Sequence, residues 1–226
     1  IITVGRFSEE KGYDLLVEVA KKVLPSHPEW EWHLYGTGDT FDEIHQKVVE
    51  YNLTSQLIQK GNVKDVYKLY NEYAFLVLPS YREGLPLVLL EAKASGLPMV
   101  SFDVTTGPRE IVEEGKDGYL IPPYDLDKMA NRIELLTDSE ERRIAFSNHT
   151  ISGVKKFEKE EIYRQWTNLI DELTMENISL QQDRYELTNL RQLYELDSQY
   201  DEYQKIGARI IAKDSGNWFH SFTINK

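Results

Sequence analysis

An α/β fold built on a doubly wound parallel sheet is predicted by three features of the sequence. Short β-branched or apolar runs alternate with longer amphipathic stretches over residues 1–122. Several of the runs, Phe75-Leu76-Val77-Leu78 among them, are apolar at every position, as strands covered on both faces are. Glycines, prolines and capping residues fall at the joints between the two kinds of segment. Alternation of this sort lays helices on both faces of a parallel sheet, a Rossmann-like arrangement.

The elements follow in order. Ile1–Gly5 reads as a strand, and Tyr13–Leu24 as a helix stopped by Pro25 and Pro28. Glu31–Gly36 is the second strand, followed by a helix over Phe41–Tyr51. Leu57–Gly61 is the third, with a helix expected over Val63–Asn71. Ala74–Pro79 is the fourth, and a helix over Leu87–Ala94 opens near Pro86, a favoured first helical residue. Gly96-Leu97-Pro98 turns that helix into the strand Pro98–Asp103. A short helix over Arg109–Glu114 leads to the sixth strand, Gly118–Pro122. Asp125 caps a helix over Leu126–Leu136, and Ser139–Val154 and Lys159–Leu173 complete the helical end.

The domain is expected to end near residue 174, leaving 175–226 as a tail. Within 177–206, Leu180, Leu187, Leu190 and Tyr194 stand at helical spacings but fall short of three heptads. Ala208–Lys213 and Trp218–Ile224 flank the turn Asp214-Ser215-Gly216-Asn217, a β-hairpin pattern. The tail either packs on the core or offers Tyr194, Tyr200, Tyr203, Trp218 and Phe219 as a contact surface.

Composition narrows the function. The chain has 226 residues, 41% hydrophobic and 28% charged, enough for one sizeable domain with an appendage. It has no cysteine, which excludes disulfides and thiolate metal sites and fits a reducing compartment such as the cytoplasm. A net charge of −12 argues against broad binding of nucleic acid. No apolar run approaches the roughly 20 residues that span a bilayer. The chain opens inside a strand-like run with no initiator Met, so the natural protein is expected to begin earlier.

In open α/β sheets, ligands bind beyond the carboxyl ends of the strands. After the first strand comes Gly5-Arg6-Phe7-Ser8-Glu9-Glu10-Lys11-Gly12, two cations flanking a short loop that ends at a helix start. Forked donors from Arg6, a point charge from Lys11 and free backbone N–H groups suit a diphosphate, although a pair of solvated surface charges has the same spacing. After the fourth strand comes Pro79-Ser80-Tyr81-Arg82-Glu83-Gly84-Leu85-Pro86, with Glu91 further on. Glu83 sits in the loop, and Glu91 about 7 Å below the helix start. Two carboxylates at two depths can each accept from vicinal hydroxyls of a sugar or ribose. The plainer alternative is a loop salt bridge for Glu83 and an exposed helix position for Glu91.

Glu83 and Glu91, seven residues intervening, resemble the E-x7-E signature of retaining glycosyltransferases of family 4, also called group 1. Gly5-Arg6-Phe7…Lys11-Gly12 is similar to that family's first loop, and Pro79-Ser80…Glu83-Gly84-Leu85-Pro86…Glu91-Ala92 to its second. The likeness runs through Gly107-Pro108-Arg109-Glu110-Ile111-Val112 and Asp117-Gly118-Tyr119-Leu120, covering about residues 1–172. It implies the C-terminal half of a GT-B fold. It also implies a role for each residue: Arg6 and Lys11 on the diphosphate of a nucleotide sugar, Glu83 with the Gly84-Leu85 backbone on the transferred hexose, Glu91 on the ribose. Gly61-Asn62-Val63 would lie along the base. Arg6, Lys11 and Glu83 would carry catalysis without a metal or other cofactor, with a UDP-sugar favoured over a GDP-sugar. The acceptor, a glycan, polysaccharide or lipid-linked saccharide, would be held by an N-terminal domain, so this chain should bind donor but transfer poorly by itself. The full-length protein would work in the cytoplasm or peripherally at the inner face of the membrane.

Other motifs compete. Asp125-Leu126-Asp127 matches the metal-holding D-x-D pattern of the other main glycosyltransferase architecture, but Asp is a common cap at a helix start. Gly36-Thr37-Gly38 is half a dinucleotide fingerprint whose third glycine would fall at Phe41. The five histidines show no ligand spacing; His45 reads as a helix-surface residue and His220 as a strand residue. Two other functions fit less of the pattern. A hydrolase or phosphorylase would place Glu83 and Glu91 across a bond, roughly 5–9 Å apart, and leave the cations idle unless phosphate binds. A non-catalytic binding or assembly module would account for the tail, but not for intact Arg6, Lys11, Glu83 and Glu91.

Overall fold

Runs of apolar residues too short for helices become the strands, and the computed structural model, which describes residues 1–181 and side chains to residue 173, shows six. They are β1 (Ile2–Val4), β2 (Trp32–Tyr35), β3 (Leu57–Gly61), β4 (Leu76–Leu78), β5 (Met99–Phe102) and β6 (Gly118–Ile121). All pair in parallel in the order β3-β2-β1-β4-β5-β6, with Ile2 opposite Leu76 where the order reverses. The helices are α1 (Tyr13–Val23), α2 (Phe41–Glu50), α3 (Leu87–Ala94), α4 (Pro108–Ile111), α5 (Leu126–Thr137), α6 (Glu140–Gly153) and α7 (Lys159–Gln181).

Period-two alternation along each strand sends side chains into separate cores. Val77 and Val100 join Leu16, Val17 and Ala20 of α1, Ile44 and Val48 of α2, and Ile133 of α5 on one face. Leu76, Leu78 and Met99 join Leu89 and Ala92 of α3 and Ile111 of α4 on the other. The polar groups in this interior are matched: buried Thr3 Oγ1 donates to the Val77 carbonyl at 2.8 Å and accepts from Trp32 Nε1 at 3.0 Å.

Two predicted helices are corrected. The expected helix over Val63–Asn71 is instead a pair of 3-10 turns, Val66–Lys68 and Tyr70–Glu72. Tyr70 is wholly buried against the sheet and Tyr67 reaches Glu91, and these tertiary ties outweigh a weak local propensity. The helix expected over Arg109–Glu114 is the single turn α4, because the Asp117 carboxylate captures the Glu113 N–H at 2.8 Å and Glu114 bridges to Gly118.

The Asp125 cap acts where the sequence placed it, and Ser139, expected as the first helical residue, is a second cap. Asp125 Oδ1 accepts the Lys128 N–H at 2.9 Å and Ser139 Oγ accepts that of Arg142 at 3.2 Å. Asp127 meanwhile pairs with Lys22 at 2.9 Å, so the D-x-D residues are a helix cap and a surface ion pair. Gly36 and Thr37 serve the first loop rather than a dinucleotide: Gly5 N–H donates to the Tyr35 carbonyl and Phe7 N–H to that of Thr37, both at 3.0 Å. Residues Ile1–Tyr163 form one compact unit, and a second begins at Arg164, within α7. The hairpin expected over Ala208–Ile224 and nearly all of the segment 177–206 lie outside the described residues. Among the described residues no helix is long and apolar enough to cross a membrane.

His27 makes this frame pH-sensitive. Its Nδ1 lies 3.0 Å from the Val23 carbonyl, at the end of α1, and its Nε2 3.0 Å from the Asp138 carboxylate, at the end of α5. The backbone bond first, then Asp138, raises its pKa above the ordinary histidine value, against the opposing effect of burial. A folded-state pKa above the unfolded one gives stability that is complete below about pH 6.5 and is lost as pH rises through the folded value. His27→Gln is therefore expected to lower the melting temperature by about 2–4 °C at pH 5.5, from ~1 kcal/mol, and by less at pH 8. Thermal unfolding at the two pH values checks this.

Candidate functional site at the strand-order reversal

Where β1 and β4 lie side by side, their following loops leave the sheet together, and the crevice between them is the general ligand position of open α/β sheets. The two loops are tied to each other. Tyr81 N–H donates to the Glu10 carbonyl at 2.9 Å, and Gly12, at φ 65°, turns so close to the second loop that a Cβ there would lie 2.1 Å from the Pro79 carbonyl oxygen. The second loop is braced from beyond β5: Thr106 Oγ1 donates to the Glu83 carbonyl at 2.5 Å.

This arrangement brings Lys11 and Glu83 together, Nζ to Oε1 at 2.8 Å, in an ion pair whose carboxylate side chain is only 7% exposed. A carboxylate so covered needs its cation, and the pair holds the two loops in register. Arg6 stands in the same first loop but points to Asp39 at 3.1 Å, with both side chains open to solvent. A surface pair of that kind is worth little and is readily given up. Gly84 and Leu85 are exposed at the start of α3, and Val63 is half-buried beyond the end of β3.

Glu91 lies one helical turn into α3 and is held by two phenols. Tyr70 donates to Oε2 at 2.8 Å and Tyr67 to Oε1 at 3.1 Å. Burial first, then the Glu91 bond, drives the Tyr70 pKa far upward; for Tyr67 the Glu91 bond is the main cause of its rise. Both hydroxyls therefore stay protonated and donate to the Glu91 carboxylate. Neither tyrosine was among the candidate residues; the signal available was their spacing of three, with Tyr70 beside the run that leads into β4.

The structure thus brings Lys11 and Glu83 into contact, keeps Arg6 and Gly84-Leu85 in the adjoining loops, and places Glu91 under a tyrosine pair. Among the described residues no group of three or more His, Cys, Asp or Glu side chains is arranged to hold a metal.

Residues 1–152 match the family model described as glycosyl transferases group 1. A curated relative, the exopolysaccharide phosphotransferase of Streptomyces coelicolor, is 31% identical over 174 residues, covering 76% of this chain and 18% of its own length. The crystal structure of a TarM variant from Staphylococcus aureus, in complex with fondaparinux, α-GlcNAc-glycerol and UDP, matches with a TM-score of 0.71 at 30% identity, over 74% of this chain and 35% of that one. The C-terminal domain of a glycosyl transferase group 1 family protein, LpcC, from Francisella tularensis matches with a TM-score of 0.62 at 26% identity, over 69% of this chain and 84% of that domain. The chain spans about half or less of the length of the curated relatives it matches, from 18% to 49%.

Proposed function

The chain belongs to the family of glycosyl transferases group 1, and from that premise we propose that it is the donor-binding domain of a retaining hexosyltransferase that uses a nucleotide-diphosphate sugar. The observation that carries the reading is the Lys11–Glu83 pair at the strand-order reversal, with Arg6 in the same loop. Two cations there suit a diphosphate, and the carboxylate beside them suits the hydroxyls of the sugar attached to it. UDP bound to the TarM relative supports a UDP-sugar as donor.

Each residue then has a task. Arg6 leaves its exposed partner Asp39 and grips the diphosphate, while Lys11 divides its donors between that diphosphate and Glu83. Glu83, with the Gly84 and Leu85 backbone, orients the hexose, Glu91 accepts from the ribose, and Val63 lies along the base. As the bond from the anomeric carbon to the diphosphate breaks, the electron pair stays on the phosphate oxygen. Arg6 and Lys11 meet that charge without reorganising, the form of catalysis that preorganised donors supply. The acceptor hydroxyl attacks the anomeric carbon from the same face, and its proton passes to the departing phosphate oxygen. No metal ion or other cofactor is required in this scheme. The acceptor, a glycan, polysaccharide or lipid-linked saccharide, is held by a domain N-terminal to this one, and the reaction runs in the cytoplasm, at the inner membrane face where the acceptor is lipid-linked.

The test is calorimetric titration of the chain with UDP, GDP and their common hexose conjugates in EDTA. Wild type should bind one nucleotide series, uridine being expected. Arg6→Ala should weaken that binding tenfold or more with no change in melting temperature, since its ion pair with Asp39 is solvent-exposed. Lys11→Ala should weaken it as much but also lower the melting temperature, because it strands the covered Glu83 carboxylate. Absence of binding by every nucleotide would favour a non-catalytic assembly module instead.

A further inference from the structure

A carboxylate that is to receive two vicinal hydroxyls must be both held in place and open. Glu91 is held at both oxygens, and its two holders differ. Tyr70 is wholly buried and donates to Oε2 at 2.8 Å. Tyr67 is 60% exposed and donates to Oε1 at 3.1 Å. The first bond is fixed by the packing of its ring in the core shared with Leu76, Leu89 and Ala92. The second is made by a side chain in solvent, from the short 3-10 turn Val66–Lys68. An exposed bond of this length is exchanged at little net cost, because water or another hydroxyl replaces it. The turn also lies just beyond β3 in the chain, three residues after Val63, so the segment that carries Tyr67 is the one assigned to the base.

We propose that Tyr70 and Tyr67 divide the work on Glu91: Tyr70 is a permanent positioning residue, and Tyr67 is a placeholder that yields Oε1 to the ribose hydroxyls of an incoming nucleoside diphosphate, its ring then remaining as a wall beside the nucleoside. The proposal rests on the reading of Glu91 as the ribose acceptor. It makes Tyr67 the residue that a ligand with ribose hydroxyls must displace and a ligand without them need not. The geometry sets the order of events. Oε2 stays with Tyr70 throughout, so the carboxylate does not rotate when Tyr67 leaves, and the two lone-pair positions on Oε1 become available in a fixed direction. Tyr67 keeps Glu91 from standing uncompensated between turnovers.

Titration of the full 226-residue chain with UDP and with its 2′,3′-dideoxy analogue separates the roles. Tyr67→Phe removes the competing hydroxyl and keeps the ring, and should bind UDP about three- to tenfold more tightly than wild type while leaving the dideoxy analogue unchanged. Tyr67→Ala should bind UDP more weakly than Tyr67→Phe by several fold, because the wall is gone. Tyr70→Phe should weaken UDP fivefold or more and the analogue far less, a ligand-dependent split that mere loosening of the fold would not produce; thermal unfolding confirms that this buried variant is folded. UDP binding by Tyr67→Phe that is unchanged or weaker than wild type would overturn the placeholder role. Equal binding of UDP and the dideoxy analogue by wild type, together with no effect of Glu91→Gln, would instead overturn the ribose assignment beneath it. Failure of wild type to bind either UDP or GDP would overturn both.

Discussion

Replacing Lys93 by alanine is expected to lower the melting temperature by roughly 6–20 °C, the equivalent of ~3–5 kcal/mol. Lys93 is completely buried in α3, two residues beyond Glu91, and forms an ion pair with the equally buried Asp117. Its ammonium also donates to the Ile111 carbonyl at the end of α4 at 2.7 Å, and Asp117 accepts the Glu113 N–H. The α6 backbone presses on the stem: a Cβ at Gly153 would lie 2.9 Å from Lys93 Cε. Alanine removes the cation and leaves a carboxylate in a sealed interior with one backbone donor. Burying the pair was itself costly, so the loss comes from stranding the partner rather than from a strong bond. Lys93→Met combined with Asp117→Leu should recover most of the stability, since it strands no charge and costs only the bonds to the Ile111 carbonyl and the Glu113 N–H. Thermal unfolding of the singles and the double gives the cycle. A double variant no more stable than Lys93→Ala would mean that the hydrogen bonds to Ile111 and Glu113, not the buried charge, hold this corner together.

Lys93 also shows where reading the sequence stops. The strands announced themselves because buried parallel strands are apolar at every position, and Leu76–Leu78 and Met99–Phe102 fell within the expected runs. The cap Asp125 was legible because a cap is a local hydrogen bond between residues three apart. The loops carrying Arg6, Lys11 and Glu83 were legible as loops, and their union was legible only through the family resemblance. Nothing in residues 5–12 or 79–86 says that β1 and β4 are neighbours; that is decided by how the crossovers wind, and it is what brings Lys11 to 2.8 Å from Glu83. Lys93 was passed over for the same reason, its partner being 24 residues distant. The failure at Val63–Asn71 has the opposite character. The local pattern favoured a helix, but Tyr70 is drawn into the core and Tyr67 to Glu91, and the chain breaks into two 3-10 turns to serve both.

Gly107 is where backbone geometry is expected to read out most selectively in function. It sits at φ 91°, ψ −63°, a γ-turn-like conformation that costs an L-residue a few kcal/mol at most sites. Space is tighter still: a Cβ at Gly107 would lie 2.3 Å from the Gly84 carbonyl oxygen and 2.5 Å from Pro86 Cδ. Neither neighbour is a flexible side-chain end, so Gly107→Ala must push the loop 83–86 away from α4. The adjacent Thr106–Glu83 bond also ties these segments, and it would be strained or broken with it. Arg6, in the first loop, and the Tyr70–Glu91 bond lie on other supports. The proposed hexose contacts, Glu83 and the Gly84-Leu85 backbone, should therefore move while those for ribose and diphosphate largely stay. Gly107→Ala should leave UDP binding within about threefold of wild type yet abolish any advantage of the hexose conjugate over UDP. Loss of UDP and conjugate binding in equal measure would mean instead that Gly107 serves the whole loop cluster, and that the hexose position does not depend on Glu83 and Gly84.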